Sequence, residues 1–398
     1  PIAIRGPIKS NKNLHMKKYC LFLFSLMILG CQTQKIGLEK LSKSKNDLLK
    51  PVFDNAEKYE LQILYTQINR KPNGEIEFKD FEYRVNDSAY FYPASSVKLP
   101  VAALALEKLR ELRNSEQIGI SRNSPYYIEG DSVKHSISRD IEAVFAVSDN
   151  EAFNRLFEFL GQDYINNKLE QKGLNPVSIS HRLSVGDALK TETIPLIFEI
   201  LENSNTSTFR LPVTNNLSAT PLNMKGIQKG IGFIQNDTLV EGAFDFSLKN
   251  YFPLRSQHQL MKQLMFPEKF PENKRFNLDE GDRGFLLNSM NQTPREAGYD
   301  PEEYYDSYVK FFLYGDAKNA IPDEIEIHNK IGQAYGTLTE TAYITNASKE
   351  VEFLLSATVL VNKNGIFNDN NYEYESIGIP FFAALGREIY ELELNRKK

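Results

Sequence analysis

Ser95 and Lys98 stand three residues apart, where an extended aromatic segment turns into an apolar helix. Pro93 marks the corner, and the residues that follow have the apolar pattern of a buried helix. Side chains three apart on a helix share a face, so the Ser95 hydroxyl and the Lys98 amine can interact. Burial disfavours the ammonium form, and a neutral amine can take a proton from a hydroxyl. The pair therefore predicts a serine nucleophile with lysine as its proton partner.

Two other copies of the Ser-x-x-Lys spacing lack this context. Ser42 and Lys45 lie in a lysine-rich polar segment, and Ser307 and Lys310 lie in a segment rich in tyrosine and phenylalanine. A spacing this short recurs by chance in a chain of 398 residues. The copy at Ser95 is the candidate because it combines an extended approach, a corner and a buried helix.

Two further motifs can supply the rest of an acyl-transfer site. Ser-Asp-Asn at 148–150 interrupts two helical patterns, at 138–147 and 151–160. Lys-Ile-Gly at 330–332 comes at the end of a predicted strand, 324–330. Alone, the first is usually a helix cap and the second a solvated charge. Together with Ser95, we interpret both as functional.

The pattern of apolar residues predicts strands near both ends of the chain, with helices between them. The other predicted strands are 61–68, 76–83, 341–345 and 351–361, and further helices are predicted at 162–172, 301–314 and 379–394. Alternation slips at 79–80, which predicts a bulge. Aromatic residues at 304, 308, 311 and 312 would share one face of their helix and pack in the core. The nearly continuous apolar run at 351–361 predicts a central strand. The expected fold class is α+β, with one sheet built from both ends of the chain.

With its three motifs in this order, the chain resembles the class A β-lactamase and penicillin-binding serine hydrolase superfamily, whose motif set is Ser-x-x-Lys, Ser-Asp-Asn and Lys-Thr-Gly. The resemblance runs from about residue 54 to the C-terminus, interrupted by a long insertion at about 204–322. It implies an antiparallel sheet flanked by helices, a mainly helical subdomain and a cleft between them. It also implies acyl transfer without a metal or another cofactor.

The resemblance assigns roles to residues that match the motifs. Ser95 is similar to the acylated nucleophile, and Lys98 to its proton partner. Ser148 would pass the proton to the leaving nitrogen, with Lys330 close by to hold the local field positive. Asn150 would donate its amide to the acylamino side chain of the substrate.

The strand motif would border the substrate. The backbone N–H groups of Ser95 and Gln333 would form the oxyanion hole, with Gly332 beside them. Ile331 occupies the place where the superfamily usually has Thr or Ser. This departure removes a hydroxyl that would bond a substrate carboxylate, a loss on the order of 1–3 kcal/mol if the carboxylate stays unpaired.

Class A enzymes deacylate with a glutamate on a loop after Ser-Asp-Asn. The segment 181–187 resembles the start of that loop, and without gaps Asp187 falls on the place of the glutamate. Aspartate is one methylene shorter, and a base must reach its water within about 3 Å. Glu192 is a second candidate, and packing of the loop is the alternative for both. If neither carboxylate serves, the acyl-enzyme would be long-lived.

Histidine and cysteine are not expected to act in this chemistry. His181 and His328 lie near the motifs, but a mechanism based on serine and lysine does not need them. Cys20 and Cys31 are the two cysteines of the sequence, and both lie near its start. The body therefore offers no thiol nucleophile and no cysteine metal site.

The start of the sequence predicts export. Met16 opens a basic and then apolar segment, 16–31, which has the pattern of a secretory signal and is too short to span a bilayer. Its end resembles a lipobox, so Cys31 would be the lipidated first residue of a mature lipoprotein held to a bacterial membrane, with its body in the periplasm or at the cell surface. An ordinary signal peptide is the alternative. Residues 1–15 would lie upstream of the true start, 32–52 would be a tether, and 53–398 the hydrolase domain.

The charge balance argues against nucleic acid as a partner. The whole chain has a net charge of −5, and the segment 1–31 contains five basic residues and no acidic ones. The remainder has 42 basic against 52 acidic residues, and no basic cluster lies near the motifs. The predicted partners are a small β-lactam or acyl-peptide substrate and, through the lipid anchor alone, a membrane.

Three functions remain open from the sequence. The first is a lipid-anchored β-lactamase that degrades antibiotics. The second keeps the acyl-serine chemistry, as in a penicillin-binding peptidase or esterase that acts on cell-wall peptides or other acyl substrates. The third is a surface lipoprotein without activity, which the intact hydroxyl and charged groups of the motifs disfavour.

Overall fold

The computed structural model of the protein describes residues 36–115, 118–202 and 205–396. Residues 1–15, the predicted signal segment and Cys31 lie outside this part. The α-helices are α1 (Ile36–Leu41), α2 (Lys50–Asp54), α3 (Lys98–Ser115), α4 (Ile137–Ala146), α5 (Asn150–Leu160), α6 (Gln162–Gln171), α7 (Leu254–Met265), α8 (Glu280–Asn291) and α9 (Ile379–Leu394). Short 3₁₀ turns at Ala94–Val97 and Asp306–Val309 and a π-helical turn at Tyr374–Gly378 supplement them.

The strands form one main sheet and three small ones. In chain order they are β1 (Gln62–Arg70), β2 (Ile76–Tyr83), β3 (Tyr126–Ile128), β4 (Leu196–Glu202), β5 (Asn205–Arg210), β6 (Gln228–Lys229), β7 (Gly232–Gln235), β8 (Thr238–Glu241), β9 (Phe244–Asp245), β10 (Glu326–Ala334), β11 (Thr337–Asn346), β12 (Val351–Leu360) and β13 (Ile366–Phe367). The main sheet has the order β10-β11-β12-β1-β2 and is antiparallel throughout.

The main sheet joins the two ends of the chain, as the sequence predicts. β1 pairs with β12, so that Gln62 lies opposite Thr358. β12 is flanked by a strand on each side, which confirms its predicted central position. The α+β class, with an antiparallel sheet flanked by helices and a mainly helical part, is confirmed.

Each face of the sheet packs on its own hydrophobic core. Leu354 of β12 faces the core that contains α3 to α8, and its neighbours Phe353 and Leu355 face the core that contains α9. This alternation follows from the period of two in a strand. Because both faces are covered, β12 carries apolar residues on both faces, which explains its nearly continuous apolar sequence.

The bulge predicted in β2 is absent, because β1 and β2 pair without a slip from Ile63 with Tyr83 to Arg70 with Ile76. The apolar alternation shifts for another reason. Phe78 packs against the core that contains α3 to α8, whereas Phe81 lies in the core that contains α9. Each half of the strand is thus buried on a different face.

The prediction of an aromatic helix at 301–314 is wrong. The segment consists of turns around the 3₁₀ turn Asp306–Val309, and Leu313 has a positive φ of 71°. Phe312 is buried in the core beneath α9, whereas Tyr308 is 38% exposed. The aromatic side chains therefore divide between core and surface instead of sharing one helix face.

Two predicted boundaries differ from the structure. Within the lysine-rich segment 32–52, α1 and α2 are folded against the core beneath α9 through buried residues such as Leu38, Leu49 and Val52. Within the region 204–322, α7 packs on the main sheet and belongs to the core of the fold. Among the described residues, no helix combines the length and apolarity needed to cross a membrane.

Candidate active site

The 3₁₀ turn Ala94–Val97 delivers Ser95 to a cavity and continues directly into α3. Ser95 is half-buried, whereas Ala94 and Ser96 on either side are buried. Ala94 adopts a left-handed φ of 47°, which is strained for a residue with a side chain. The packing of the apolar start of α3 holds this turn, so the hydroxyl is presented by a rigid part of the fold.

Gly332 lets strand β10 approach this turn closely. A Cβ atom at residue 332 would lie 2.4 Å from the carbonyl oxygen of Pro93 and 3.1 Å from the backbone nitrogen of Ser96. The first distance is too short for a carbon contact with a backbone atom and the second is tight, so a side chain here would push the strand and the turn apart. The Lys-Ile-Gly motif thereby sets the distance between the strand and the nucleophile turn. The strand continues to Ala334, beyond its predicted end at residue 330.

The Lys98 amine is fully buried at the base of the turn. It donates to the backbone carbonyl of Ser148, to Oδ1 of Asn150 at 2.7 Å and to Oγ of Ser148 at 3.4 Å. In the part of the chain that the structure describes, none of its acceptors belongs to Ser95. Burial lowers the pKa of Lys98 to about 7, and the nearby Asp149 carboxylate opposes this shift. Lys98 can therefore take up a proton near neutral pH.

Lys330 approaches Ser148 from strand β10. Its Nζ atom donates to Oγ of Ser148 at 2.9 Å and to the carbonyl oxygen of Ile331 at 3.1 Å. Burial, and next the charge of Lys98, hold the pKa of Lys330 well below its usual range. The Ser148 hydroxyl thus lies between two buried amines, an arrangement suited to moving a proton.

Asn150 links the Ser-Asp-Asn motif to the loop that follows α6. The motif sits at the start of α5, where the Asp149 carboxylate accepts the backbone N–H of Ala152 at 2.7 Å as an N-cap. Asn150 Nδ2 donates to Oγ of Ser184 at 3.0 Å, while its Oδ1 accepts from Lys98. Both ends of the amide are therefore fixed, and Ser184 is the loop residue that reaches the motif.

A buried ion pair shapes this loop. The Arg182 guanidinium pairs with the Glu158 carboxylate of α5 and donates to the carbonyl oxygens of Lys190 at 2.7 Å and Glu192 at 3.2 Å. Arg182 therefore ties the two ends of the loop together. The sequence did not single out Ser184, because its contact with Asn150 depends on this three-dimensional brace.

The two carboxylates proposed as deacylation bases do not join Ser95. Asp187 is exposed and lines a separate cavity with His181 and Lys249. Glu192 is also exposed, and its backbone forms a bridge with Asn215. Counting along the loop without gaps selects Asp187, but the fold presents Leu183 and Ser184 to the nucleophile cavity.

The cavity that contains Ser95 has a volume of about 720 Å³. It brings together four of the residues predicted from the motifs, which are Ser95, Ser148, Asn150 and Gln333. Ile331 also lines it, so the departure from the superfamily motif faces the space where a substrate would lie. The sequence did not predict six tyrosines of the lining, which are Tyr92, Tyr305, Tyr308, Tyr335, Tyr372 and Tyr374.

Backbone strain is concentrated around this cavity. Of the twelve non-glycine residues with a positive φ in the described ranges, six line it. They are Ala94, Ser148, Ser184, Tyr335, Asn368 and Asn370, with φ between 47° and 61°. Such conformations cost on the order of 1–3 kcal/mol in the worst cases and cluster at functional sites. The clustering therefore supports this cavity as the candidate active site.

The tyrosines far along the chain form a second wall of the cavity. Tyr305 precedes the 3₁₀ turn Asp306–Val309 and Tyr308 lies within it, with ring centroids 5.9 Å apart. Tyr372 and Tyr374 come from the connection between β13 and α9, with centroids 5.4 Å apart. We call these four residues, together with Glu375 beside them, the tyrosine wall.

A buried polar network joins the tyrosine wall to strand β10. Lys310, two residues beyond Tyr308, donates to the carbonyl oxygen of Ile327 at 2.7 Å and to Oδ1 of Asn329 at 3.1 Å. Asn329 in turn donates to the Glu340 carboxylate of β11. Burial lowers the pKa of Lys310 to about 7 and raises that of Glu340 to about 8. The Ser-x-x-Lys copy that ends in Lys310 is thus part of the core.

His181 and His328 do not line the cavity that contains Ser95. His181 stacks on Tyr92 with centroids 6.4 Å apart, and burial lowers its pKa to about 4. His328 lies on β10, where burial likewise lowers its pKa to about 4. Within the described ranges, no three His, Cys, Asp or Glu side chains are grouped as metal ligands.

Comparison with known proteins finds a family match over part of the chain. A profile of the beta-lactamase enzyme family matches residues 46–221, which include the motifs at Ser95 and Ser148. No curated protein matches the chain. Solved structures that are similar include a class A beta-lactamase from Mycobacterium abscessus, with 14% identity, 85% of this chain and 96% of that chain covered, and a TM-score of 0.47. A halotolerant bacterial beta-lactamase is also similar, with 13% identity, 87% of this chain and 99% of that chain covered, and a TM-score of 0.48. PBP-A has 13% identity, with 90% of this chain and 94% of that chain covered, and a TM-score of 0.47.

Proposed function

We propose that the chain, which matches the beta-lactamase enzyme family over residues 46–221, opens acyl substrates through an acyl-Ser95 intermediate. The observation that carries the proposal is the position of Ser148, whose hydroxyl lies 3.4 Å from the Lys98 amine and 2.9 Å from the Lys330 amine. Ser95 opens into the same cavity. A nucleophile, a base and a proton relay are the groups that acyl transfer requires.

In the proposed first step, Ser95 Oγ attacks the carbonyl carbon of the substrate while its proton passes to neutral Lys98. The bond from the carbonyl to its nitrogen or oxygen then breaks. Ser148 delivers a proton to that leaving atom and is reprotonated from the lysines beside it. Lys330 stabilises the charge that develops around the Ser148 oxygen.

Two further groups would hold the substrate. The backbone N–H groups of Ser95 and Gln333 are proposed as the oxyanion hole, on the two elements that Gly332 brings into contact. Asn150 is proposed to contact the acylamino side chain of the substrate. Its amide is supported from behind by Lys98 and Ser184, so its orientation is fixed before the substrate binds.

The second step, deacylation, is proposed to be slow with β-lactams. A hydrolytic water needs a base within about 3 Å. The loop presents the neutral side chain of Ser184 to the cavity, and Asp187 lies in the neighbouring cavity. These placements favour a penicillin-binding hydrolase with another acyl substrate over rapid degradation of antibiotics. Export and a lipid anchor at Cys31 remain parts of this proposal.

The experiment is intact-protein mass spectrometry of the purified protein mixed with a penicillin and with a chromogenic cephalosporin, while the colour change is followed. We expect an adduct of stoichiometry one on Ser95, with little turnover. Rapid colour change without an adduct would instead assign a β-lactamase. No adduct and no turnover with either compound would overturn acylation by β-lactams.

Two alanine variants make the assignment to Ser95 specific. Ser95→Ala should abolish the adduct. The matched control is Ser96→Ala, because Ser96 is the next residue, is buried and has no hydrogen-bond partner for its hydroxyl among the described residues. Ser96→Ala should leave labelling unchanged, so loss of the adduct in both variants would contradict the assignment.

A further inference from the structure

The tyrosine wall and Glu375 point to a chemical class of substrate. Resting on the proposed acyl-Ser95 chemistry, we infer that the substrate carries a cationic amine on its acyl part, and that Tyr305, Tyr308 and Glu375 bind this amine at the far wall of the cavity.

Charge is the first reason. Among the described residues that line the cavity, the formally charged side chain is Glu375. It is exposed, and no salt bridge joins its carboxylate to a described basic residue. Burial, and next the Glu375 carboxylate, raise the pKa of Tyr305, so the charge acts within the space that the tyrosine borders. This end of the cavity therefore attracts cations.

The aromatic rings are the second reason. The face of a tyrosine ring attracts ammonium groups, and a cage of such rings with a carboxylate selects them over neutral groups. The ammonium of Lys318 already lies 5.1 Å from the ring centroid of Tyr305, although Lys318 does not line the cavity. The faces of Tyr308, Tyr372 and Tyr374 carry no such cation among the described residues.

The backbone gives a third reason. Glu375 lies in the π-helical turn Tyr374–Gly378, directly before α9. Turns of this kind are rare and occur frequently at functional sites. The hydroxyl of Tyr374 accepts the backbone N–H of Gly336 at 2.7 Å, which ties the turn to the strands beside the nucleophile. The carboxylate is thus held on a fixed element.

A substrate with a carboxylate fits this lining less well. Ile331 presents an apolar side chain where a hydroxyl would bond a carboxylate, and Glu375 would repel it. Both features disfavour an anion and leave the binding of an amine intact. Selection against carboxylates and for amines would separate the natural substrate of this protein from β-lactam antibiotics.

The test uses three nitrophenyl esters with acyl chains of one length. One chain ends in trimethylammonium, one in the isosteric and neutral tert-butyl group, and one in a carboxylate. The rate of acylation of Ser95 is measured for each by nitrophenol release and by the mass of the adduct. We expect a preference of roughly tenfold for trimethylammonium over tert-butyl, with the carboxylate slowest.

Two variants locate the effect. Glu375→Gln should reduce the preference for trimethylammonium over tert-butyl to about twofold or less. The matched control is Glu373→Gln, because Glu373 is two residues away, does not line the cavity and accepts the backbone N–H of Lys363. It should keep the full preference. Added salt should weaken the preference in the wild type, because the attraction is partly electrostatic.

The possible failures are distinguishable. If Ser95 is acylated by all three esters at equal rates, or fastest by the carboxylate ester, the inference of a cationic substrate is wrong and the acyl-serine proposal stands. If no ester and no β-lactam acylates Ser95, the proposed function fails and the inference fails with it. A preference that survives in Glu375→Gln would overturn the binding site named here.

Discussion

The two walls of the cavity are built in different ways. The wall around Ser95 comes from short turns that run directly into helices, which are the 3₁₀ turn before α3 and the residues before α5, and from strand β10. The tyrosine wall comes from a 3₁₀ turn and from a connection that ends in a π-helical turn. The chemistry is thus fixed on the scaffold, while selectivity is placed on irregular segments, as loops commonly carry it. Altering each wall in turn should separate bond breaking from recognition.

The largest effect is expected at Lys98. Burial lowers the pKa of Lys98 to about 7, and its neutral form must accept the proton of Ser95. The acylation rate should therefore be low below pH 6, rise through about pH 7 and level off above pH 8. The measurement is the rate of adduct formation against pH with a neutral ester. A flat profile over this range would contradict Lys98 as the base.

Lys98→Arg is the matching variant, because arginine keeps the positive charge and cannot lose its proton. Acylation should fall by roughly 10²- to 10⁴-fold, and its rise near pH 7 should disappear. The selectivity among the three esters should be retained in the residual activity, because the tyrosine wall is untouched. Loss of selectivity would mean that the two walls are not independent.

The next effect is expected from Gly332→Ala, which alters the spacing within the nucleophile wall. The new methyl group would lie 2.4 Å from the carbonyl oxygen of Pro93, so β10 and the nucleophile turn must separate. The rate of acylation should fall by at least about tenfold, and the free energy of unfolding should fall by about 1–3 kcal/mol. Both are measurable by adduct formation and urea denaturation.

Gly284→Ala is the control for that variant. Gly284 lies within α8, and a Cβ atom there meets no other atom within 4 Å. Alanine favours a helix over glycine, so this variant should be slightly more stable and fully active. Equal acylation rates for Gly332→Ala and Gly284→Ala would mean that the close approach of β10 does not matter.

A smaller effect is expected from Lys310→Met, which removes the central lysine of the buried polar network between the tyrosine wall and strand β10. The variant leaves the carbonyl oxygens of Met290 and Ile327 and Oδ1 of Asn329 without this donor. We expect a loss of about 1–3 kcal/mol in the free energy of unfolding. Acylation of the tert-butyl ester should change less than the preference for trimethylammonium, because the tyrosine wall loses its support.

Lys363→Met is the control, since Lys363 is exposed and its ammonium has no partner among the described residues. The free energy of unfolding of this variant should stay within about 0.5 kcal/mol of the wild-type value. If both lysine variants unfold at the same urea concentration as the wild type, the hydrogen bonds of Lys310 do not stabilise the fold.

The sequence predicted the elements with strong local patterns. The helix after Ser95, the break at 148–150 and helix α9 occur where the periodicity of the sequence places them, because each pattern is decided within a few turns. The three motifs are carried by these elements or by β10, so four residues that line the cavity, Ser95, Ser148, Asn150 and Gln333, could also be named in advance.

The failures share a physical cause. At 301–314 the aromatic spacing fits a helix, yet Phe312 is drawn into the core and Tyr308 toward the cavity, so tertiary contacts override the local pattern. At the loop, Asp187 is displaced from the site because Arg182 and Glu158 fix which residues face inward. Both outcomes depend on partners far away in the sequence, which periodicity does not reveal.

The main sheet also has a consequence for the order in which the molecule can form. Gln62 pairs with Thr358, so the hairpin of β1 and β2 must wait for nearly the whole chain before β12, the other neighbour of β1, exists. A growing chain of 320 residues already contains the nucleophile but lacks Lys330 and three of the five strands of the main sheet. Pairings so distant in sequence form slowly. The active site is therefore assembled late, and labelling of Ser95 should report the fraction of molecules that have completed folding.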